Sequence, residues 1–467
     1  MSQETSLIQQ LESALPAYIV TRRWFRAKAL SISSVKVSTT IELDGFLILL
    51  LTIAYQQGGS DLYLLPVTSA TSPNVEERSE DPIITFESPD GDPVAVYDAV
   101  YSPFFRTAFL RMITSSTTSS IAPPPEEGIV KSFVSRAEQS NTSIIYGQDY
   151  ILKLFRKLES GINPDIEVGA FLTSQGFKNT PAMLARLELQ SNGETFSAAI
   201  LQQFVANQGD AWKYTLTALE QFGKTPETLG DYERSAQLLG TRTAQMHIAL
   251  SSDVTNADFS PETFTARDAV ALSEEITAQA RSAMGLLREK LGVLAAEEAL
   301  LAQRVLEHEA QILQRFSALA KVSTSARRIR YHGDYHLGQV LYTGSDFMII
   351  DFEGEPARPL KDRRTKALAL RDVAGMLRSF QYAAYSALPT EQALAAEWCN
   401  KVTKLYLDAY FAEADAQVFL PSTAEQRQFF LDAFVLQKAL YEVQYELNNR
   451  PGWVGIPLRG ILSLIEP

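Results

Sequence analysis

The sequence has little of what secreted, nucleic-acid-binding and membrane proteins need. Its 467 residues include one cysteine, Cys399, which excludes an internal disulfide, so we expect a cytoplasmic protein. Positive charge is scarce, because 42 Lys and Arg residues face 55 Asp and Glu residues, and the formal charge of −13 repels phosphate backbones. The longest apolar stretch, Phe46 to Ala54, is too short to span a bilayer. We therefore expect neither nucleic acid nor a membrane as a partner.

The chain is rich in apolar residues, and the spacing of these residues differs between its N-terminal and C-terminal halves. Apolar residues make up 46% of the chain, enough for more than one core. The N-terminal half begins with a helical pattern over residues 3 to 18 and continues with strand-like alternation, in which Asp44-Gly45 is a hairpin turn signal. From Ala211 onward, segments rich in Ala, Leu and Glu predict helices. These segments span residues 228 to 250, 262 to 285, 287 to 322, 365 to 387, 390 to 415 and 423 to 449.

These patterns divide the chain into three predicted parts. Residues 1–90 form an α+β N-terminal cap subdomain, in which the polar stretch from Thr71 to Asp92 is a loop. Residues 91–206 form an intermediate β-rich subdomain with a nucleotide-binding lysine, and residues 207–467 form a helical C-terminal lobe with the catalytic and sugar-binding site.

The densest polar cluster interrupts the helical half and reads HGDYHLGQVLY, followed shortly by FMIIDFEGEP. Phosphoryl transfer needs a carboxylate at the acceptor hydroxyl and separate oxygen ligands for Mg²⁺. Asp334 lies five residues before Gln339, which replaces the commoner asparagine, and a strand-like run then ends in Asp351-Phe352. Together these residues match the catalytic loop and metal-binding pair of kinases. We therefore predict that Asp334 faces the acceptor hydroxyl and that Asp351 holds Mg²⁺.

A kinase also needs a strand lysine for the nucleotide phosphates. Lys153 lies in YILKLF, the second strand of a predicted hairpin, and Glu167 on the helix predicted from Asn163 to Ser174 is its expected partner. An outward-facing lysine and a solvated glutamate are the alternatives. Order along the chain gives the other predicted ATP contacts, although the QSNTS segment reads equally well as a polar turn. They are Ser140, Asn141 and Thr142 in the phosphate loop that begins at Gln139, Gln202 and Val205 at the adenine hinge, and Asp210 at the ribose.

A competing interpretation is a transition-metal hydrolase. Imidazole and carboxylate groups suit Zn²⁺ or Fe²⁺, but this interpretation leaves Lys153 and Glu167 unexplained. We expect His332 to brace the catalytic loop instead. The ligands of the alternative site would be His332, Asp334, His336, Asp351 and Glu353.

Longer runs closely resemble the bacterial maltokinases, including those fused to trehalose synthase. The runs are LPAYIVTRRWFRAKA, YILKLFRKLESGINPDIEVGAFL, the catalytic cluster and KALYEVQYELNNRPGWVGIPLRGIL. The resemblance implies an α+β, bilobal, protein-kinase-like fold of the aminoglycoside phosphotransferase type, with an additional N-terminal cap and a mostly helical C-terminal lobe. It also implies that ATP phosphorylates maltose at its anomeric hydroxyl, giving maltose 1-phosphate for α-glucan synthesis.

The same resemblance implies that Asp334 is the catalytic base and that Gln339 and Asp351 bind Mg²⁺. Because the chain opens at Met1, we expect the free-standing form, as a monomer, with association with trehalose synthase suggested by the fused relatives. The alternatives are a kinase of the same fold acting on another sugar or aminosugar such as glucosamine, and a catalytically inactive nucleotide-binding module.

The sugar contacts are expected on the last long helix and just after it. Sugars offer hydroxyl edges to charged donors and apolar faces to rings, although the tyrosines at i, i+4 spacing suit core packing equally well. The candidates are Lys438, Tyr441, Tyr445, Arg450 and Trp453. Three further residues, Arg371, Asp372 and Arg378, are interpreted as structural ion pairs, with bracing of the site as the alternative.

Overall fold

The computed structural model describes residues 3–69, 81–87, 91–116, 118–125, 127–135, 140–191, 193–356 and 358–466. The chain divides into two compact units. The first comprises Met1–Ala170 and Pro181–Ala206, and the second comprises Phe171–Thr180 and Asn207–Pro467.

The first unit is rich in antiparallel strands. Its elements are α1 (Gln3–Thr21), β1 (Ile32–Leu43), β2 (Phe46–Tyr55), β3 (Ser60–Ser69), β4 (Ile84–Glu87), β5 (Pro93–Asp98), α2 (Pro103–Thr114), β6 (Ser132–Val134), β7 (Thr142–Tyr146), β8 (Tyr150–Leu154), β9 (Lys157–Leu158), α3 (Pro164–Ser174), β10 (Met183–Ser191) and β11 (Glu194–Gln203). Helix α3 begins in the first unit and ends in the second.

One sheet of this unit has the strand order β1-β2-β3-β5-β4, and β9 pairs with β3. The predicted hairpin between β1 and β2 is confirmed, since Asp44 and Gly45 have φ values of 47° and 84°, as a type I′ turn requires. Strand β2 reads as a nearly continuous apolar run because both of its faces are covered. Leu49, Leu51 and Ile53 pack with α1, and the alternate residues join the core that contains α2 and the second sheet.

The predicted loop from Thr71 to Asp92 is wrong for residues 84–87, which form β4, while residues 71–80 and 88–90 lie outside the described part. The strand was missed because it is an edge strand whose Thr85 and Glu87 alternate with half-buried Ile84 and Phe86. The β4–β5 hairpin extends across the predicted boundary at residue 90, and the division into three parts stays a prediction.

The second sheet has the order β10-β11-β8-β7-β6. The predicted hairpin around residues 147–149 is confirmed as β7 and β8, with Tyr146 opposite Tyr150. Strand β8 pairs with β11 on its other side, so it is an interior strand of this sheet. Lys153 therefore lies on a backbone held by neighbours on both sides.

The second unit is mostly helical, as predicted. Its elements are α4 (Ala211–Lys224), α5 (Tyr232–Leu250), β12 (Glu262–Thr263), α6 (Ala266–Lys290), α7 (Ala296–Glu307), α8 (Glu309–Ala318), β13 (Arg327–Arg328), β14 (Val340–Tyr342), β15 (Phe347–Ile349), α9 (Leu360–Arg363), α10 (Leu370–Ala387), α11 (Gln392–Glu413), α12 (Ala424–Asn449) and α13 (Gly455–Ile465).

The helical patterns locate α5, α6, α10, α11 and α12 to within a few residues, and the helical segment predicted over 287–322 contains two helices, α7 and α8. That stretch is broken after Lys290 and again at His308, whose φ and ψ of −91° and 7° leave the helical region. None of the helices in the described part of the chain combines the length and the apolar character that crossing a membrane requires.

Candidate active site

The catalytic loop of the second unit is held by a buried carboxylate on α10. Asp372, 2% exposed, accepts hydrogen bonds from the backbone N–H groups of His332 and Gly333 at 2.7 and 3.0 Å, and from His247 Nε2 at 3.1 Å. Gly333 has a φ of 86°, a conformation that favours glycine. These contacts fix the backbone immediately before Asp334. The ion-pair interpretation of Asp372 is therefore replaced by the bracing alternative.

One face of α10 follows this loop closely. A Cβ on Gly375 would lie 2.5 Å from the carbonyl oxygen of Tyr335, so only glycine allows the approach. One turn further along, Ser379 Oγ accepts from Leu337 N at 3.0 Å. Asp372, Gly375 and Ser379 recur at i, i+3 and i+7 on one helix face, a spacing that could have indicated a polar contact surface in the sequence.

His332 lies buried under the loop, 1% exposed. Its Nε2 donates to the carbonyl oxygen of Ile350 at 2.9 Å, its Nδ1 accepts weakly from Asp334 N at 3.4 Å, and its ring packs on Phe352. This geometry agrees with the predicted bracing role. The Nδ1 of His336 accepts from Gly338 N at 3.0 Å. Both ring nitrogens of His332 and one of His336 are therefore hydrogen-bonded to the backbone, which counts against these nitrogens as metal ligands of the hydrolase alternative.

Oxygen ligands converge at the end of β15. Asp351 has a φ of 67°, which is rare for a non-glycine residue and marks a constrained position. Ile350 N donates to the carbonyl oxygen of Gln339 at 3.0 Å, so Gln339 flanks the same strand end, and carboxylate oxygens of Asp351 and Glu353 lie within 4.8 Å of one another. Two neighbouring carboxylates suit Mg²⁺, which prefers oxygen ligands. Glu353 is predicted only as a ligand of the hydrolase alternative and as part of an acidic groove for the sugar, so a role for it beside Asp351 at Mg²⁺ is not among the predictions.

A polar cleft opens at Asp334. Lys438 crosses it from α12, with Nζ 3.0 Å from Glu355 Oε1 and 3.5 Å from Asp334 Oδ1, and 4.8 Å from the ring centre of Tyr441. Burial disfavours the ionised forms of Glu355 and Lys438, but the attraction between opposite charges outweighs this effect. Lys438 and Arg358 lower the pKa of Glu355, and Glu355 and Asp334 raise the pKa of Lys438.

The other three predicted sugar residues form a separate stack near the C-terminal end of α12. The Arg450 guanidinium lies 5.4 Å from the ring centre of Tyr445 and 4.7 Å from that of Trp453, and it pairs with Glu446 at 2.6 Å. Tyr445 and Trp453 are 46% and 38% exposed, so they are not core residues. Tyr441 lines the cleft, and Tyr445 follows it one helical turn later.

Some charged residues around the cleft form the predicted ion pairs, and one forms ion pairs that are not among the predictions. The expected ion pairs of Arg371 and Arg378 are confirmed, with Glu275 at 3.3 Å and Glu442 at 2.6 Å. Arg358, which the sequence analysis did not consider, links Glu355 to Glu275. Glu355 and Arg358 are three residues apart, but Lys438 reaches them only through a tertiary contact, which no local pattern signals.

In the first unit, Lys153 pairs with Asp165. The Lys153 Nζ lies 3.0 Å from Asp165 Oδ2, and the two side chains are 13% and 3% exposed. Asp165 is in the first turn of α3, where Asn163 Oδ1 accepts from its backbone N–H at 2.9 Å. Asp165 is not among the predicted partners of Lys153, although a carboxylate just inside a helix start is a readable signal. The predicted pairing of Lys153 with Glu167 stays a prediction.

The remaining residues predicted to contact the nucleotide stay predictions. Thr142 Oγ1 accepts from the buried Arg156 at 2.7 Å, a contact not expected from the sequence. Asp210, in the second unit, caps α4 by accepting from Lys213 N at 2.7 Å. Gln139 lies outside the described residues. For the others the structure gives a position: Asn141 is buried just before β7 and Ser140 precedes it, and Gln202 lies in β11 shortly before Val205.

Three comparisons with known proteins bear on this arrangement. Residues 18–101 match the maltokinase N-terminal cap domain. A glucosamine kinase from Streptacidiphilus jiangxiensis is 24% identical over 73% of this chain and 73% of its own length, and one from Mycolicibacterium smegmatis is 25% identical over 70% and 78%.

Among solved structures, a glucosamine kinase in complex with glucosamine, ADP and inorganic phosphate has a TM-score of 0.69 at 18% identity, covering 98% of both chains. A second crystal form has a TM-score of 0.71. At this identity the likeness shows the fold. The predicted resemblance and fold class are confirmed: the chain carries a maltokinase N-terminal cap domain and has the kinase fold of the solved glucosamine kinase, with a helical C-terminal part.

Proposed function

We propose that the protein transfers the terminal phosphoryl group of ATP to the anomeric hydroxyl of maltose, giving maltose 1-phosphate. The observation that carries the proposal is Asp334, held on a braced loop in a polar cleft that also contains Lys438 and Tyr441. The kinase fold supports phosphoryl transfer, and the cap domain at residues 18–101 supports maltose as the acceptor.

The chemistry assigned to the chain is mostly positioning. Asp334 accepts the hydrogen bond of the attacking hydroxyl and takes its proton as the new P–O bond forms and ADP leaves. Lys153 binds the nucleotide phosphates through its ammonium group. Asp351, Glu353 and Gln339 would hold Mg²⁺, which when bound neutralises phosphate charge.

The acceptor rings would follow one face of α12. Tyr441 offers an apolar ring surface beside Lys438 for the glucose unit that is phosphorylated. The second glucose unit would then extend along the helix toward Tyr445 and Trp453, whose exposed rings are held in place by Arg450. An exposed aromatic pair beyond a cleft suits a disaccharide better than a monosaccharide.

The test is an acceptor panel with MgATP, in which ADP release is followed for maltose, glucose and glucosamine. Maltose should give the highest kcat/KM, and Asp334→Asn should abolish turnover while the thermal unfolding transition is kept. Maltose turnover by Asp334→Asn at the wild-type rate would remove Asp334 from the mechanism, and absence of maltose turnover by the wild type would end the proposal.

A second candidate is an aminosugar kinase, favoured by the named activity of the similar proteins, which are glucosamine kinases. A kcat/KM for glucosamine far above that for maltose would select it. Nucleotide binding without turnover of any acceptor would instead indicate an inactive module. Cytoplasmic location, a monomeric state and association with trehalose synthase stay predictions.

A further inference from the structure

The charged lining of the cleft is balanced. Three carboxylates line it, and so do three cations, Arg358, Arg371 and Lys438. Each carboxylate is engaged: Glu355 with Lys438 and Arg358, Asp334 with Lys438, and Asp372 with two backbone N–H groups and His247. A cation that entered this cleft would therefore have to displace a group that already contacts one of these carboxylates.

The position of the Lys438 ammonium group is well defined. It lies between Asp334 Oδ1 at 3.5 Å and Glu355 Oε1 at 3.0 Å, over the Tyr441 ring at 4.8 Å, and its side chain is only 26% exposed. Both carboxylates raise its pKa despite burial, so it stays charged at neutral pH. The ammonium group has three N–H donors, and two carboxylates leave one for an uncharged oxygen.

We propose that Lys438 is a specificity-determining residue that selects neutral sugars and excludes protonated aminosugars. Its ammonium group occupies the space between Asp334 and Glu355 that the ammonium of an aminosugar would otherwise fill. This inference rests on the proposed function and narrows its acceptor class.

The physical reason is like-charge repulsion at short range. An aminosugar bound with its reacting hydroxyl at Asp334 brings a positive charge within one sugar ring of Lys438, where partial burial weakens solvent screening. A neutral sugar brings only hydroxyl oxygens, which can accept from Lys438. Specificity of this kind comes from a repulsive element as well as an attractive one.

The test compares kcat/KM for the best neutral acceptor of the panel with kcat/KM for glucosamine. The wild type should favour the neutral sugar strongly. Lys438→Met should lower this ratio at least tenfold, Lys438→Arg should keep it, and Lys404→Met, which removes an exposed lysine on α11, should leave it unchanged. An unchanged ratio in Lys438→Met would overturn the proposal.

A measurement on the wild type keeps the proposal testable if Lys438→Met does not fold. As pH rises through the range in which the amine of glucosamine loses its proton, glucosamine turnover should increase relative to that of the neutral sugar, because Lys438 remains charged. A constant ratio across that range would contradict the proposal.

The outcomes separate this inference from the proposed function. Preference for glucose over glucosamine, lost in Lys438→Met, together with absence of maltose turnover, would end the maltokinase proposal and support the role of Lys438. Maltose turnover with glucosamine used equally well by the wild type would support the maltokinase proposal and overturn the role of Lys438.

Discussion

The two units hold their functional side chains by different means. In the first unit, Lys153 lies on β8, an interior strand of a sheet, and its ion pair is formed with Asp165 in the first turn of α3. In the second unit, Asp334 lies on an irregular loop, and its backbone is fixed by Asp372 on α10. Regular hydrogen bonding orients the first residue, whereas one buried carboxylate orients the second.

This difference predicts how strongly each unit responds to the loss of a positioning side chain. A strand position survives the loss of one side-chain contact, because its backbone pairs with two neighbouring strands. A loop position does not, because the backbone N–H groups of His332 and Gly333 depend on a single acceptor residue. We therefore expect substitutions of positioning residues to cost more in the second unit than in the first.

The largest effect is expected from Asp334→Asn. Loss of the general base, which contributes about 10²- to 10⁴-fold to the rate, should abolish measurable turnover, with no change in the thermal unfolding midpoint, since Asp334 is part-exposed in a cleft. The control is Asp408→Asn, the same chemical change at an exposed position on α11, which should leave kcat unchanged. A loss in the control as large as in Asp334→Asn would show that the assay reports general damage.

Lys153→Met should come next, with kcat/KM for ATP reduced by about 10²-fold through loss of electrostatic stabilisation of the phosphates. Lys157→Met is the matched control, because Lys157 lies on the short strand β9, which follows β8 along the chain, and it pairs with Asp61 on β3. Steady-state kinetics at varied ATP would decide. Unchanged kinetics in Lys153→Met would leave Lys153 with a structural role only, in its ion pair with Asp165.

Asp372→Asn tests the comparison between the units directly. The amide presents N–H groups toward backbone donors, so the free energy of unfolding should fall by about 2 kcal/mol, and kcat should fall with it. Asp165→Asn is the counterpart in the first unit and should change kcat less. Chemical denaturation and initial rates measure both. A larger loss of kcat in Asp165→Asn would reverse the comparison.

A smaller effect is expected at the aromatic stack. Tyr445→Ala and Trp453→Ala should each raise KM for maltose about fivefold, in line with a lost ring contact of about 1 kcal/mol, and leave KM for glucose unchanged. Since both rings are exposed, stability should not change. Equal effects on maltose and glucose would argue against a second glucose unit at this position.

The smallest effect concerns Cys399. Burial raises the pKa of its thiol to about 12, so the reactive thiolate is scarce at pH 8. A thiol reagent should therefore label the native protein very slowly and the unfolded protein at once. Fast labelling of the native protein would show that α11 opens readily around this residue.

Sequence patterns predict the functional features that depend on local order, and they do not reveal those that depend on tertiary contacts. The hairpin of Lys153, the catalytic loop and the long helices were predicted because each has its own period, turn or motif. Edge strand β4 was missed because its exposed face is polar. Asp165 and Glu353 carried weak local signals, and Lys438 joins the local pair of Glu355 and Arg358 from 83 residues away, which one sequence does not reveal.

The most direct test of the central claim is NMR of the product formed from maltose and MgATP. The account predicts a phosphate coupled to the anomeric proton, with ADP released in equal amount and no product from Asp334→Asn. A phosphate on a 6-hydroxyl, or no phosphorylated maltose at all, would contradict it.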